Sequence, residues 1–163
     1  MSKYAVVALG AAVVVVLDQA TKWLITSNFN LHESMPVIDS LFHITYVRNR
    51  GGAFSLLSDL PDSIRLPFFI GAFFVAFGAL LYFVRGIEPH QRVLQLALAG
   101  ILGGALGNFI DRASVGTVVD FLDVHWRDYY WPAFNVADSF ISVGTIIILL
   151  ESFRGGGTPN TAS

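Results

Sequence analysis

The pattern of apolar residues divides the chain into four long hydrophobic stretches separated by more polar segments. A helix needs roughly 20 mostly apolar residues to cross a bilayer. Because apolar residues resume after Asp18 and Lys22, and no small-residue cleavage site follows, the first stretch is predicted to be an uncleaved span. The pattern therefore predicts four transmembrane helices, at about residues 4–25, 66–84, 93–112 and 136–153.

The two segments on one side of these spans, residues 26–65 and 113–135, have the pattern of ordered loops. "LFHITYVRN" (41–49) alternates as a β-strand does, and "TVVDFLDVHW" (117–126) is a second β-prone run. "RNRGGAFS" contains two adjacent glycines and predicts a turn. We therefore predict an all-α integral membrane protein, a single membrane-embedded domain, with a small extracytoplasmic β-sheet built from the two outer loops.

Composition supports a membrane protein. Hydrophobic residues make up 54% of the 163 residues and charged residues only 13%, against about 25% charged in an ordinary soluble domain. The net charge of −2 and the lack of a basic cluster argue against a nucleic-acid partner. The absence of cysteine excludes disulfides, thiolate nucleophiles and cysteine-based metal sites.

Four spans place both termini on the same side of the membrane. Basic residues are denser in the short segments on that side than in the long outer loops, which predicts cytoplasmic termini. We interpret residues 154–163, "RGGGTPNTAS", as a flexible tail. The aromatic residues before the last span are interpreted as anchors at the lipid–water boundary. The basic residues on the side of the termini are Lys3, Arg85, Arg92 and Arg154, and the aromatic anchors are Trp126, Tyr129, Tyr130, Trp131 and Phe134.

The first span contains two opposite charges, Asp18 and Lys22, four residues apart and so on one face of a helix. Charged side chains within a span are costly and normally face a protein interior or water. We interpret the two residues as an internal ion pair that orients the first helix. A catalytic role is a less favoured alternative, and a transporter would use the pair as a proton or ion relay.

The third span carries small residues at helical spacing and ends in polar side chains. Small residues at this spacing let helices approach closely in lipid. The amide of Asn108 needs partners at such a position, and together with Arg112 it can hold a peptide backbone or a carboxylate. The two adjoining stripes are Gly100, Gly104, Asn108 and Arg112, and Gly103, Gly107 and Asp111.

Two carboxylates stand at the outer mouth of the predicted bundle. Asp120 is flanked by apolar residues in "TVVDFL", and Asp138 follows Asn135 by three residues at the start of the last span, the spacing of a capping box. At about 4 Å and an effective dielectric near 20, two ionised carboxylates repel by roughly 4 kcal/mol, or about three pK units. Such a pair holds one proton across neutral pH.

A shared proton predicts acid–base hydrolysis. The charged carboxylate takes a proton from water, and the protonated one donates to a carbonyl oxygen, which hydrolyses an amide. Because a helix start favours the ionised form of Asp138, Asp120 is the expected proton carrier, although the two titrate as a unit. The sequence contains no G-x-S-x-G, H-E-x-x-H or P-loop pattern, and Ser139 has no visible base partner.

Metal chemistry is the disfavoured alternative. Asp123 and His125 can share a strand face and bind a metal with Asp120, but a third nitrogen ligand is not evident. We interpret the remaining histidines as dispersed loop residues and expect Asp123 and Asp128 to be solvated. No metal and no cofactor is predicted. The histidines concerned are His32, His43 and His90.

Two other classes of function fit the sequence less well. A proton-coupled transporter using Asp18, Lys22 and Asp138 requires polar residues across the cytoplasmic half of the spans, yet spans two and four are apolar there. A purely structural membrane protein leaves the polar residues at the outer ends of the spans without a purpose.

Five sequence blocks, taken in order, resemble the bacterial lipoprotein signal peptidases, also called signal peptidase II. They are "DQATKWL", "VRNRGGAFSLL", "GGALGNFIDR", "VVDFLDV" and "FNVADSF". Each block alone is weak, but their order on four spans is specific, and the resemblance extends over nearly the whole chain.

The resemblance implies an aspartic endopeptidase of the bacterial inner membrane, acting near its periplasmic face. It implies removal of the signal peptide from diacylglyceryl-modified prolipoproteins, by a cut just before the lipidated cysteine, and inhibition by globomycin-type cyclic peptides. Membrane lipid is the other implied partner, and we expect a monomer. The family's catalytic aspartates fall on Asp120 and Asp138, and its supporting residues on Asn49, Gly51, Asn108, Arg112 and Asn135, with Asp18 and Lys22.

Overall fold

Four long helices dominate the part of the chain that the computed structural model describes, which is residues 1–52, 56–127 and 129–155, with only the backbone for 154 and 155. Each helix is long and apolar enough to cross a membrane, and each predicted span lies within one of them. The four-span prediction is confirmed. The helices are α1 Lys3–Asn28, α2 Asp62–Gly86, α3 Arg92–Val115 and α4 Val136–Gly155.

A four-stranded antiparallel sheet is built from the two loops on one side of the bundle. The two predicted strands form its centre, and the small sheet predicted from the loops is confirmed. The two outer strands were not predicted. In the order β1-β2-β3-β4, the strands are β1 Ser34–Ile38, β2 Phe42–Asn49, β3 Val118–Trp126 and β4 Tyr129–Tyr130.

The chain direction fixes where the sheet lies. α1 and α3 end at the sheet and α2 and α4 start from it, so the start of α1 and the end of α4 lie at the opposite end of the bundle. The last helix runs through Gly155, so the predicted tail does not begin at Arg154. Its remainder, residues 156–163, lies outside the described residues.

The third helix lies at the centre of the bundle, and its glycines face two neighbours. A Cβ on Gly103 would lie 2.6 Å from the carbonyl oxygen of Ala11 in α1. A Cβ on Gly104 would lie 2.5 Å from the carbonyl oxygen of Ala137 in α4. Neither distance leaves room for a side chain, so these glycines permit the close helix approach that their spacing predicts. The second helix packs more loosely, partly through Phe73 stacked on Phe109 at 4.1 Å.

A glycine cap and a small hydrophobic cluster fix the sheet against the bundle. Gly116 adopts a left-handed conformation with φ of 82° and ends α3, a conformation that costs glycine little. β3 then begins at Val118. Ile25 of α1 packs with Tyr46 of β2 and with Val119 and Phe121 of β3. Asp120 lies between Val119 and Phe121 in β3, so the packing of these two neighbours holds its backbone in place.

Candidate active site

A buried ion network lies beneath the sheet and centres on Lys22. Its ammonium nitrogen is 2.8 Å from Oδ2 of Asp18 and 2.9 Å from Oδ2 of Asp111. It also donates to Oδ1 of Asn108 at 2.9 Å. These contacts use all three ammonium protons, in surroundings where Asp18 is 0% and Lys22 is 4% exposed. Asp18 and Lys22 form the internal ion pair that the sequence predicts.

The same network holds the start of the last helix. Oδ1 of Asp18 accepts a hydrogen bond from the backbone N–H of Ala137 at 2.9 Å. This N–H lies in the first turn of α4 and has no partner within its own helix. Asp111 accepts from the side chain of Gln19 at 2.9 Å and from the backbone N–H of Val119 at 3.2 Å. The network thus joins α1, α3, α4 and β3.

Asn135 and Asp138 form a reciprocal cap at the start of α4. The backbone N–H of Asp138 donates to Oδ1 of Asn135 at 2.9 Å, and the backbone N–H of Asn135 donates to Oδ2 of Asp138 at 3.3 Å. This is the capping-box geometry that the spacing predicts. The cap fixes the carboxylate of Asp138 at the sheet end of the bundle.

The side-chain amide of Asn135 links the cap to the second aspartate. Its nitrogen donates to Oδ1 of Asp120 at 2.7 Å and to the backbone oxygen of Val119 at 3.2 Å. Asn135 is 0% exposed. Because this one residue contacts both Asp120 and Asp138, the two carboxyl groups lie in one site.

Two further amides complete the support of the carboxyl groups. Asn49, the last residue of β2, donates to Oδ2 of Asp120 at 3.0 Å. Asn108 of α3 donates to Oδ1 of Asp138 at 2.8 Å. The side-chain oxygen of Asn49 also accepts from the backbone N–H of Gly51 at 2.8 Å. Each carboxyl group is therefore oriented by amide groups from two different elements.

Arg112 connects the third helix to the turn after β2. Its guanidinium donates to the carbonyl oxygen of Gly51 at 2.8 Å and lies 4.6 Å from the centre of the Phe69 ring. Its Nε is buried and has no hydrogen-bond partner within the described part of the chain. Arg112 therefore holds the turn, and its Nε–H has no acceptor among these residues.

A cavity of about 860 Å³ opens beside the two aspartates. Its wall contains the two carboxyl groups, the side-chain amides of Asn49 and Asn108, and many apolar side chains. Such a site can bind both a polar backbone and an apolar group. The lining residues include Asn49, Gly52, Asn108, Arg112, Asp120 and Asp138, and Val47, Val118, Trp131, Pro132, Phe134, Ile141 and Val143.

Asp120 has an ionisation suited to proton transfer. Burial, and next the negative charge of Asp138, raise the pKa of Asp120 from 3.8 to about 7, while the hydrogen bonds from Asn49 and Asn135 act in the opposite direction. A carboxyl group with this pKa exchanges its proton at neutral pH. The sequence-based estimate for two nearby carboxylates pointed the same way.

The raised pKa of Asp120 predicts that stability falls as pH rises from about 4 to about 7. In this range the folded state keeps a proton that the unfolded state has lost, so each increase in pH favours unfolding. The shift from 3.8 to about 7 corresponds to an upper bound of about 4 kcal/mol. Melting temperatures in detergent at pH 5 and pH 8 test this. Asp120→Asn should show a smaller fall than the original chain, and an equal fall in both would contradict the assignment.

Comparison with known proteins places this chain in a family. The sequence model of signal peptidase (SPase) II matches residues 10–154. The chain belongs to the signal peptidase II family. It is 54% identical to the lipoprotein signal peptidase of Geobacter sulfurreducens, over 85% of this chain and 86% of that one. It is 47% identical to that of Syntrophotalea carbinolica, over 96% of each.

Solved structures agree with this assignment. A bacterial membrane enzyme determined by the in meso method at 2.3 Å resolution matches with a TM-score of 0.84 and 33% identity. The match covers 96% of this chain and 93% of that one. The predicted family and fold class are therefore confirmed, and this chain is a multi-pass membrane peptidase of the signal peptidase II family.

Most of the site residues expected from the family come together. Asn49, Asn108 and Asn135 contact the two aspartates directly, and Gly51 is held by Arg112. Two members of the buried network, Gln19 and Asp111, were not assigned partners by the sequence. The sequence signal that could have identified Asp111 is its place on the same helical stripe as Gly107. For Gln19 the sequence gives no signal except that it follows Asp18.

The metal alternative with Asp120, Asp123 and His125 was wrong in its ligand set. Among the described residues, the ligand atoms that lie within 4.8 Å of one another belong to His43, Asp123 and His125, without Asp120. His43 lies in strand β2, so its interpretation as a loop residue was also wrong. The side chain of Asp123 is only 21% exposed. Asp128 lies outside the described residues.

Proposed function

We propose that this chain is a lipoprotein signal peptidase that hydrolyses its substrate with the two aspartates. The observation that carries the proposal is the contact of Asn135 with both Asp120 and Asp138, which line one cavity. Two carboxyl groups in one buried site, one of them with a pKa near 7, supply a base and an acid together.

The first step is the addition of water to the scissile carbonyl. Ionised Asp138 takes a proton from the water, whose oxygen attacks the carbonyl carbon, while protonated Asp120 donates its proton to the carbonyl oxygen. The product is a neutral tetrahedral diol. One amide proton of Asn108 and the backbone N–H of Asn135 hold the Asp138 carboxylate in position for this transfer.

The second step breaks the carbon–nitrogen bond. Asp138 passes its proton to the leaving amine, and a hydroxyl of the diol returns a proton to Asp120 as the carboxylic acid product forms. Both aspartates regain their starting states, so protons balance over the cycle. Asn49 and Asn135 keep the carboxyl group of Asp120 facing the cavity throughout.

The apolar wall of the cavity supports a lipid-modified substrate. Ile141 and Val143 on α4 lie along the same cavity as the aspartates, so a diacylglyceryl group can stay in apolar surroundings while the neighbouring peptide bond reaches the carboxyl groups. The Nε donor of Arg112, which has no partner among the described residues, and the amide of Asn108 are proposed to bind the substrate backbone. Globomycin-type cyclic peptides are proposed to occupy this cavity.

We further propose that the protein acts as a monomer in the bacterial inner membrane, with the sheet and the aspartates at the periplasmic face. The support for this orientation is the density of basic residues near the opposite ends of the helices, which favours the cytoplasm on that side. The water needed for hydrolysis then enters from the side of the sheet.

Two matched peptides test the proposed function. Both carry the same signal sequence and cysteine, and only one carries diacylglycerol on that cysteine. The purified protein in detergent is expected to cut the lipidated peptide immediately before the cysteine, as read by mass spectrometry, and to leave the other essentially intact. Equal cleavage of both peptides, or a cut elsewhere, would contradict the proposal. Turnover should persist in EDTA, and loss of turnover that zinc restores would show that the activity depends on a metal.

A further inference from the structure

Three side chains with metal-binding atoms meet on the sheet. His43 of β2 lies opposite Asp123 of β3 in the strand register, and His125 lies two residues further along β3. Residues two apart on a strand point to the same face. The potential ligand atoms of all three lie within 4.8 Å of one another.

His125 has a ring nitrogen without a hydrogen-bond partner among the described residues. It is 5% exposed, and its Nδ1 forms no hydrogen bond with any described residue. Oδ1 of Asp123 stands 4.0 Å from this nitrogen, which is too far for a hydrogen bond. Buried polar atoms without partners are rare in folded proteins, so this nitrogen points to a ligand between the three side chains.

Neighbouring groups fix the two imidazole rings. Tyr130 stacks on His125 with ring centres 4.9 Å apart, and the two histidine rings meet edge to face at 4.5 Å. The hydroxyl of Ser34 lies 3.5 Å from Nδ1 of His43. A contact at one imidazole nitrogen sets which nitrogen is free to bind a metal, and here it leaves Nε2 of His43 available.

We propose that His43, Asp123 and His125 bind a divalent transition metal of the zinc class. Two imidazoles and one carboxylate suit zinc, with water in the fourth position, whereas calcium and magnesium prefer oxygen ligands. Ligand atoms at about 2.0–2.1 Å from a tetrahedral zinc lie about 3.3 Å from one another. The observed spacing, up to 4.8 Å, therefore contracts when the metal binds.

The role of this site is to join β2 to β3, and it is separate from hydrolysis. His125 lies five residues along β3 from Asp120, a distance of about 16 Å at the rise of a strand. Both catalytic aspartates are absent from the cluster. The metal fixes the pairing of the two strands whose other ends carry Asn49 and Asp120.

Metal titration tests the proposal. Protein without a histidine tag is treated with EDTA, dialysed, and titrated with zinc by calorimetry and with cobalt by visible absorption. One metal ion per chain is expected, with a cobalt spectrum typical of tetrahedral coordination. His125→Ala and His43→Ala should each weaken zinc binding at least about tenfold, since even second-shell changes at metal sites cost 10- to 100-fold. His90→Ala, which removes an exposed histidine at the other end of the bundle, is the control and should bind as the original chain does.

Two outcomes would overturn the proposal. The first is saturable zinc binding that His125→Ala and His43→Ala leave unchanged, and the second is no binding by the original chain. Asp123→Asn keeps the size of the side chain and serves if either histidine variant fails to fold. Its melting temperature without metal should equal that of the original chain, and zinc should raise it less.

Discussion

Replacing Asp138 by asparagine is expected to lower the rate of precursor cleavage by about 10²- to 10⁴-fold, the range for loss of a general acid or base. Asp120→Asn is expected to do the same. An amide neither takes a proton from water nor delivers one to a carbonyl oxygen at neutral pH. Its oxygen still accepts a hydrogen bond, from Asn108 at position 138 or from Asn135 at position 120, so both variants should fold.

Cleavage of the lipidated peptide under single-turnover conditions measures this effect, and melting temperature checks the fold. Asp39→Asn is the matched control, because it makes the same chemical change at an exposed position in the turn between β1 and β2. It should leave the rate within about twofold, as surface changes usually do. Full turnover by Asp120→Asn or Asp138→Asn would remove that residue from the mechanism.

The aspartate pair was predictable because its signals are local. Apolar residues on both sides of Asp120 predict a buried strand position, and the spacing of Asn135 and Asp138 predicts a capped helix start. Both features depend on neighbours in the sequence, so they can be predicted without knowing how the helices and strands pack. The two central strands were predicted for the same reason, from alternation within each run. The sequence of β1, SMPVI, does not alternate, and all five of its residues are exposed, while β4 has only two residues.

The partners of the buried network were not predictable, because they depend on how helices rotate against one another. Spacing places Asp18 and Lys22 on one face, yet it does not say that this face meets Asp111 of α3. The cluster at His43 depends on register. An irregularity between Ile44 and Val47 interrupts the pairing of β2 and β3, and a shift of one residue changes which side chains share a face. The sequence therefore predicted the positions of the two carboxyl groups better than their surroundings.

Replacing Lys22 by methionine is expected to destabilise the protein by about 3–5 kcal/mol, the usual cost of breaking a buried ion pair by removing one partner. The variant leaves the carboxylates of Asp18 and Asp111 buried without their cation. Melting temperature in detergent measures the loss. Lys3→Met is the matched control, because within the described part of the chain Lys3 donates to backbone carbonyl oxygens at the other end of the bundle, and its loss should cost much less. An equal, small effect of both changes would show that the network is dispensable.

The double variant Lys22→Met with Asp111→Asn separates charge from packing. If uncompensated charge causes the instability, removing one of the two carboxylates should restore a substantial part of the melting temperature, although two buried groups have then changed. If lost packing causes it, the double variant should be no more stable than Lys22→Met. In the double variant, the rate of cleavage should recover less than the melting temperature does. Lys22 also donates to Asn108, whose amide holds Asp138, so without the ammonium group the carboxylate of Asp138 loses part of its support even in a folded protein.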